Sequence, residues 1–257
     1  MVTGSSSGIG RQTALDLARD GARVVVAARR RDRLEALVDE MGGASSGHSL
    51  FVTDVSDREQ VLALAEHTAD LYGRCDALVN NAGLSDERPL DQPGAIEDLE
   101  RVMATNFFGV VWCTAALLPL LMSCAPSSVV NVASIAGRLA GVAPAYTASK
   151  FALVGWSEAL RFQLAPHGVW VSLVEPGPIP TEGFDQSAYL QDPLMRHVLG
   201  TTQDVSRAIR ATLVDHKMQR VVPRWYYLLQ LPRVVAPPLF RIAQRGLAAR
   251  RATKEGS

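Results

Sequence analysis

Apolar residues along the chain follow two alternating rhythms. Short valine-rich blocks recur as RVVVAA (Arg23 to Ala28), HSLFVT (His48 to Thr53), DALVNN (Asp76 to Asn81), SVVNVA (Ser128 to Ala133) and VWVSLV (Val169 to Val174). Their apolar positions run together, as they do in strands buried on both faces. Between these blocks the period changes. In DRLEALVDEM, Leu34, Leu37, Val38 and Met41 fall on one helical face. SDRE has the spacing of a capping box, with Ser56 opening a helix and Glu59 three residues later. Such alternation predicts one α/β domain with a doubly wound, mostly parallel sheet flanked by helices. No repeat or linker divides it.

Two stretches strain this pattern. Only Met1, Val2 and Thr3 precede Gly4, whereas a strand usually has about 5–6 residues. The strand feeding the first glycine loop is central in this architecture, so a short one leaves ladder groups of its neighbours unpaired. The expectation is therefore that the sequence lacks a few natural residues at its start. The longest apolar run, VVWCTAALLPLLM (Val110 to Met122), is too short for a bilayer. It reads as a helix buried in the domain or packed on another subunit, bent or ended by Pro119.

Composition narrows the partners. The 257 residues are 47% hydrophobic and 20% charged, enough for one sizeable core. Twenty-six Lys and Arg balance 26 Asp and Glu, which leaves no overall basic field for nucleic acid. Cys75, Cys113 and Cys124 are scattered and odd in number, so neither a disulfide framework nor a metal site is expected. With no secretory pattern before the glycine loop, a cytoplasmic address is expected. The charge is unevenly spread, however. Lys217 to Ser257 holds nine Lys or Arg and one acid, Glu255, so 17 basic groups face 25 acids elsewhere, a formal −8. In this segment Leu239, Phe240, Ile242, Ala243 and Leu247 can share a helical side, with Arg241, Arg245 and Arg250 on the other. A basic amphipathic helix can pack on its own domain or a partner subunit, or it can lie peripherally on an anionic membrane. Vesicle sedimentation with and without Pro237 to Ser257 separates these readings.

The opening MVTGSSSGIG admits two chemistries. Gly4-x-Ser6-x-Gly8 fits a hydrolase elbow with Ser6 as nucleophile. Extended to Gly10, the same residues form a glycine loop that brings a diphosphate to a helix N-terminus. An elbow needs upstream structure that is almost absent here. The five histidines (His48, His67, His167, His197 and His216) occur in no catalytic setting and read as surface or capping residues. About 20 residues past such a loop, an acid would bind the adenosine ribose. This chain instead has Ala28 followed by Arg29, Arg30 and Arg31. A guanidinium suits a 2′-phosphate, which favours NADP(H) over the alternative NAD(H), with Arg29 at the strand end as its ligand. Arg31 and Arg33 read as a solvated helix start.

Tyr146 and Lys150 lie one helical turn apart, and Ser134 follows an apolar strand at the edge where such sheets bind ligands. A nearby ammonium would lower a phenol from its ordinary pKa of about 10 towards neutrality. Alone, Y-x-x-x-K is a weak pattern that also describes surface pairs.

Taken together, TGSSSGIG, Asp54-Val55, NNAG (Asn80 to Gly83), Asn106 in ATNFFG, Ser134, YTASK and PGPIPT (Pro176 to Thr181) resemble the short-chain dehydrogenase/reductase family, to about Val222. The resemblance implies a Rossmann-type catalytic domain over 1–222, with a substrate lid at about 178–202, and a C-terminal extension over 223–257. It implies that Gly4, Ser6, Ser7, Gly8, Ile9 and Gly10 approach the cofactor phosphates and adenosine. Asp54 would bond the adenine, with Val55 beside it. Asn81, Ala82 and Gly83 would line the far ribose. Pro176, Gly177, Ile179 and Thr181 would fix the nicotinamide. The implied activity is hydride exchange with a carbonyl or secondary alcohol, with Tyr146 as acid/base and Ser134 binding the substrate oxygen. Lys150 would also hold the nicotinamide ribose, and Asn106 would position a water in a proton relay. No metal is implied. The expected substrate is a small, moderately lipophilic carbonyl or alcohol, walled by Phe184, Tyr189, Leu194, Met195 and Leu199, and the expected assembly is a homodimer or homotetramer. The competing reading is a regulatory protein that binds dinucleotide without turnover. Asn106, Ser134, Tyr146 and Lys150 argue against it, because a sensor needs only the glycine loop.

Overall fold

The computed structural model describes residues 1–140, 143–182 and 199–238. The valine-rich blocks form strands of one parallel sheet: β1 (Val2–Thr3), β2 (Val25–Ala28), β3 (Ser49–Val52), β4 (Ala77–Asn80), β5 (Ser127–Val132) and β6 (Val169–Pro176). A seventh strand, β7 (Gln219–Val222), completes the order β3-β2-β1-β4-β5-β6-β7. This strand has only two valines, at the sheet edge, and so lacks the apolar run that marks the others.

Consecutive apolar residues serve opposite faces. Val24, Val26 and Ala28 join one core cluster with Leu15 of α1 (Gly8–Arg19), Leu34 and Leu37 of α2 (Arg31–Glu40) and Ile209 of α7 (Thr202–Asp215). Val25 and Ala27 meet Leu64 of α3 (Arg58–Tyr72) from the other side. Val129 and Val171 pack there with Cys113, Leu117 and Leu121 of α5 (Gly109–Ser123). The expected doubly wound architecture is the observed one.

Details differ from expectation where side chains compete for backbone. The cap of α3 is Asp57, which accepts from Glu59 N and Gln60 N, and not Ser56. Both the amide and the hydroxyl of Ser56 are drawn back to Asp54 Oδ1, at 2.9 and 2.6 Å, so the helix starts one residue later. Pro119 does not end α5, which continues to Ser123. A π-helical turn, Ala104–Phe108, joins α5 to α4 (Ala95–Met103). The resulting 29-residue run is long and apolar enough to cross a membrane by length and composition, unlike the apolar block read alone, and 39% of its most apolar window is buried in the fold. His48 is buried rather than superficial, and its Nδ1 accepts from Val24 N.

β1 has two residues, as the sequence required. Met1 extends the ladder, its amino group donating to Ala77 O at 2.8 Å and its carbonyl accepting from Val79 N. Behind it lies a cavity of about 380 Å³, between the chain entering β2 (Ala22 to Val25) and that entering β4 (Cys75 to Ala77).

The boundary expected at Val222 is crossed by packing. Tyr226 is buried against Gly177, and Arg233 of α8 (Tyr227–Val235) lies over the Phe151 ring at 4.6 Å. The amphipathic residues Leu239 to Leu247 and Arg241 to Arg250 lie outside the described residues.

Candidate active site

The sheet order reverses between β1 and β4, so a crevice opens at their carboxyl ends. The glycine loop occupies that switch point. Gly4 and Gly8 have φ of +67° and +56°, in the left-handed region that glycine tolerates. At Gly10 a Cβ would stand 2.4 Å from Gly4 O and 2.5 Å from Asn81 Nδ2. The loop is thus compressed against the NNAG segment. Thr3 and Asn81 stitch the two: Thr3 Oγ1 accepts from Asn81 N and Ala82 N, and Asn81 Nδ2 donates to Thr3 O and Gly4 O. Ile9 points inward and packs on the core.

Ser7 sits at the N-cap of α1, but its side chain does not cap. Its hydroxyl instead accepts from Arg30 Nη2 at 2.9 Å, and Ser6 Oγ accepts from Arg30 Nε and Nη2 at 3.2 and 2.9 Å. The guanidinium delivered to the glycine loop is therefore Arg30. Arg29 extends over Asp54 at 3.8 Å, with 69% of its side chain exposed. Arg30 also joins Glu182 at 2.9 Å, and Arg33 pairs with the same carboxylate, so Arg33 is not simply solvated.

Val55 is buried against the start of α5, where Gly109 leaves room: a Cβ there would stand 2.8 Å from Val55 Cγ2. On the far side, Gly177 donates its amide to Val222 O at 2.7 Å. Ile179 is buried, and Thr181 lies over the loop, its Cγ2 3.1 Å from where a Gly8 Cβ would be. The glycine cradle, a helix N-terminus without a side-chain cap and two arginines fit a phosphate-rich dinucleotide.

α6 (Pro144–Leu164) carries Tyr146 and Lys150. It has no cap of its own. Glu87, from the loop after β4, supplies one: Ala145 N and Tyr146 N donate to its two carboxylate oxygens at 3.2 and 2.8 Å. Gly137 lets the turn after Ser134 rest on α6, since a Cβ there would be 2.8 Å from Lys150 O. Ser134 hydrogen-bonds Tyr146, which draws the phenol's pKa down, but burial acts more strongly and pushes it up to about 12. This reverses the direction expected from sequence. Lys150 Nζ stands 5.7 Å from the Tyr146 ring centre and donates to Val132 O at 3.0 Å, while burial lowers its pKa to about 8. An ammonium at that distance does not outweigh desolvation of the phenol.

Asn106 is fully buried in the π-helical turn. It exchanges hydrogen bonds with the Leu84 backbone at 2.9 Å each and donates to Ser149 at 3.0 Å, pinning the NNAG loop to α6. Asn80 is structural, donating to Thr114 and Asn131 inside the sheet. Of the expected apolar wall, Phe184, Tyr189, Leu194 and Met195 lie outside the described residues.

Sequence reading missed the parts played by Glu87, Glu182, Arg30 and Tyr226. No local pattern links Glu87 to a helix 58 residues away. By contrast, Thr201 and Asp204 form a true capping box on α7 whose spacing was readable.

A family model described as short chain dehydrogenase matches residues 1–189. A 3-oxoacyl-(acyl-carrier-protein) reductase from Synechocystis is 35% identical over 222 residues, 84% of this chain and 88% of that protein. A short-chain dehydrogenase structure from Streptomyces avermitilis aligns with a TM-score of 0.76 at 28% identity, covering 100% of this chain and 97% of its own. The RhlG/NADP active-site complex of Pseudomonas aeruginosa aligns at 0.74 with 29% identity, over 82% of this chain and 87% of that one. The chain belongs to the short-chain dehydrogenase family, as its glycine loop and its Ser134, Tyr146 and Lys150 cluster led one to expect.

Proposed function

We propose that this family oxidoreductase is NADP(H)-dependent and interconverts a carbonyl compound and a secondary alcohol, with Tyr146 as the acid/base. The observation that carries the reading is the convergence of Ser134, Tyr146 and Lys150 at the carboxyl edge of the sheet, beside the NNAG loop. Bound nicotinamide supplies the hydride donor or acceptor. The chain's own residues do the rest. The Tyr146 hydroxyl, protonated at neutral pH, gives its proton to the substrate oxygen in reduction; in oxidation it must first be ionised, and the phenolate then takes the proton of the alcohol. Ser134 holds that oxygen by a hydrogen bond. Lys150, buried at 4% exposure, offers its ammonium to the cofactor ribose and favours the ionised phenol. Asn106 acts by holding Leu84 and Ser149 in place.

NADP(H) is supported by Arg30 on the Ser6 and Ser7 hydroxyls and Arg33 beside it, which replaces the assignment of the 2′-phosphate to Arg29. The NADP complex of the Pseudomonas relative agrees with this choice. Gly4, Gly8, Gly10, Asp54, Val55, Asn81 to Gly83, Pro176, Gly177, Ile179 and Thr181 would frame the remainder of the dinucleotide.

The test is NADPH consumption against a panel of ketones and aldehydes, compared with the Tyr146→Phe protein. Turnover should vanish in the variant while NADPH still binds, because the ring remains and only the hydroxyl is lost. Near-normal turnover would assign the acid to another group. Binding without turnover in the parent would favour a regulatory protein.

A further inference from the structure

Glu182 directly follows Thr181, on the opposite bank of the crevice from the arginines. One carboxylate oxygen accepts from Arg30 Nη1 at 2.9 Å, and the other takes Arg33. Arg30 uses three more donors, from Nε and Nη2, on Ser6 and Ser7, so these residues form a single chain of contacts across the glycine loop. The side chains are accessible: 40% exposed for Arg30, 42% for Arg33 and 50% for Glu182. The two arginines hold the Glu182 carboxyl below its ordinary pKa, the bond from Arg33 most strongly.

We propose that Glu182 is the resident counter-anion of the arginine pair, which an incoming 2′-phosphate must displace, and that it thereby tunes cofactor preference. The inference rests on the NADP(H) reading above. A guanidinium has a fixed fork of donors. Donors spent on a carboxylate are not available to a phosphate, so an NADP(H) molecule exchanges one anion for another. A nucleotide with a free 2′-hydroxyl brings only the diphosphate that both cofactors share, adds no anion at the 2′ position, and leaves the Glu182 pairs intact. Glu182 therefore taxes NADP(H) alone and narrows its advantage over NAD(H).

The experiment measures dissociation constants of the full chain for NADPH and NADH by nicotinamide fluorescence, with 2′,5′-ADP as a competitor that lacks nicotinamide. Glu182→Gln should tighten NADPH and 2′,5′-ADP by roughly two- to fivefold, the size set by giving up exposed ion pairs, and leave NADH unchanged. Asp32→Asn serves as the control, since Asp32 acts on Arg33 only through its field. Equal tightening in both variants would reduce the effect to general charge and overturn the proposal. So would unchanged or weaker NADPH binding in Glu182→Gln. Arg30→Ala separates the two readings. If Glu182→Gln fails but Arg30→Ala weakens NADPH much more than NADH, the phosphate subsite stands and only the role of Glu182 falls. If it weakens both equally, the subsite itself is misplaced.

Discussion

Replacing Lys150 by methionine should stabilise the protein at neutral pH while removing its activity. Lys150 is almost wholly buried, and its ammonium has the Val132 carbonyl at 3.0 Å and no carboxylate among its hydrogen-bond or ion-pair partners in the described residues. Burial lowers its pKa from 10.5 to about 8. Between those two values the unfolded chain binds more protons than the folded one, so stability rises with pH across that window. Below about pH 8 the penalty is present in full. At 1.36 kcal/mol per pH unit, a fall from 10.5 to about 8 costs about 3 kcal/mol of folding free energy. Methionine keeps the length of the chain and removes the charge, but it leaves the Val132 carbonyl without its donor, at a cost of about 1–3 kcal/mol. The net gain at pH 7 is about 0–2 kcal/mol.

The pH slope is more diagnostic than the absolute value. Relative to the variant, the parent should gain stability steadily from about pH 8 to about pH 9.5, by up to about 2 kcal/mol. Measurements should stop there. Tyr146, whose pKa is raised to about 12, begins above pH 10 to cost stability as the pH climbs. Urea unfolding followed by circular dichroism, at fixed protein concentration, supplies both numbers. Parallel pH curves for parent and variant would refute the reasoning, because they would mean that Lys150 pays no burial penalty. A variant that is several kcal/mol less stable at pH 7 would also refute it.

Two further substitutions probe what holds the site in place. Glu87→Ala strips two amides at the start of α6 of their acceptor, so it should cost about 1–2 kcal/mol and lower kcat more than it raises KM, with Glu87→Gln restoring part of both; unchanged kinetics in the alanine protein would remove Glu87 from the positioning of Tyr146. Arg138 ties the turn after Ser134 to Glu175, which is fully buried in β6, and to Glu158 on α6. Arg138→Met should cost about 3 kcal/mol by stranding the Glu175 charge, and adding Glu175→Gln should recover most of it; a double variant no more stable than the single one would show that the charge is not the cause.

The sheet was legible because parallel strands covered on both faces leave unbroken valine runs. β7 escaped because an edge strand needs fewer of them. The pairing of Tyr146 with Lys150 was legible because they lie within one turn of one helix, and helical spacing alone brings them together. Its electrostatics were not legible. The expected effect of lysine on tyrosine depends on how far each is removed from water, and burial here dominates both pKa values. The arginine run shows the same limit at the scale of a single residue. A spacing of about 20 residues from the glycine loop reaches the end of β2 but does not say which of three successive arginines turns back. Arg30 is the N-cap of α2, at φ −92° and ψ 100°, still extended while the chain is about to coil. An extended residue and its predecessor project to opposite sides. Arg29 and Arg30 therefore part company, one towards Asp54 and the other towards Ser6 and Ser7. Three successive arginines after β2 bring a guanidinium near the glycine loop, and the turn between strand and helix decides which one reaches it.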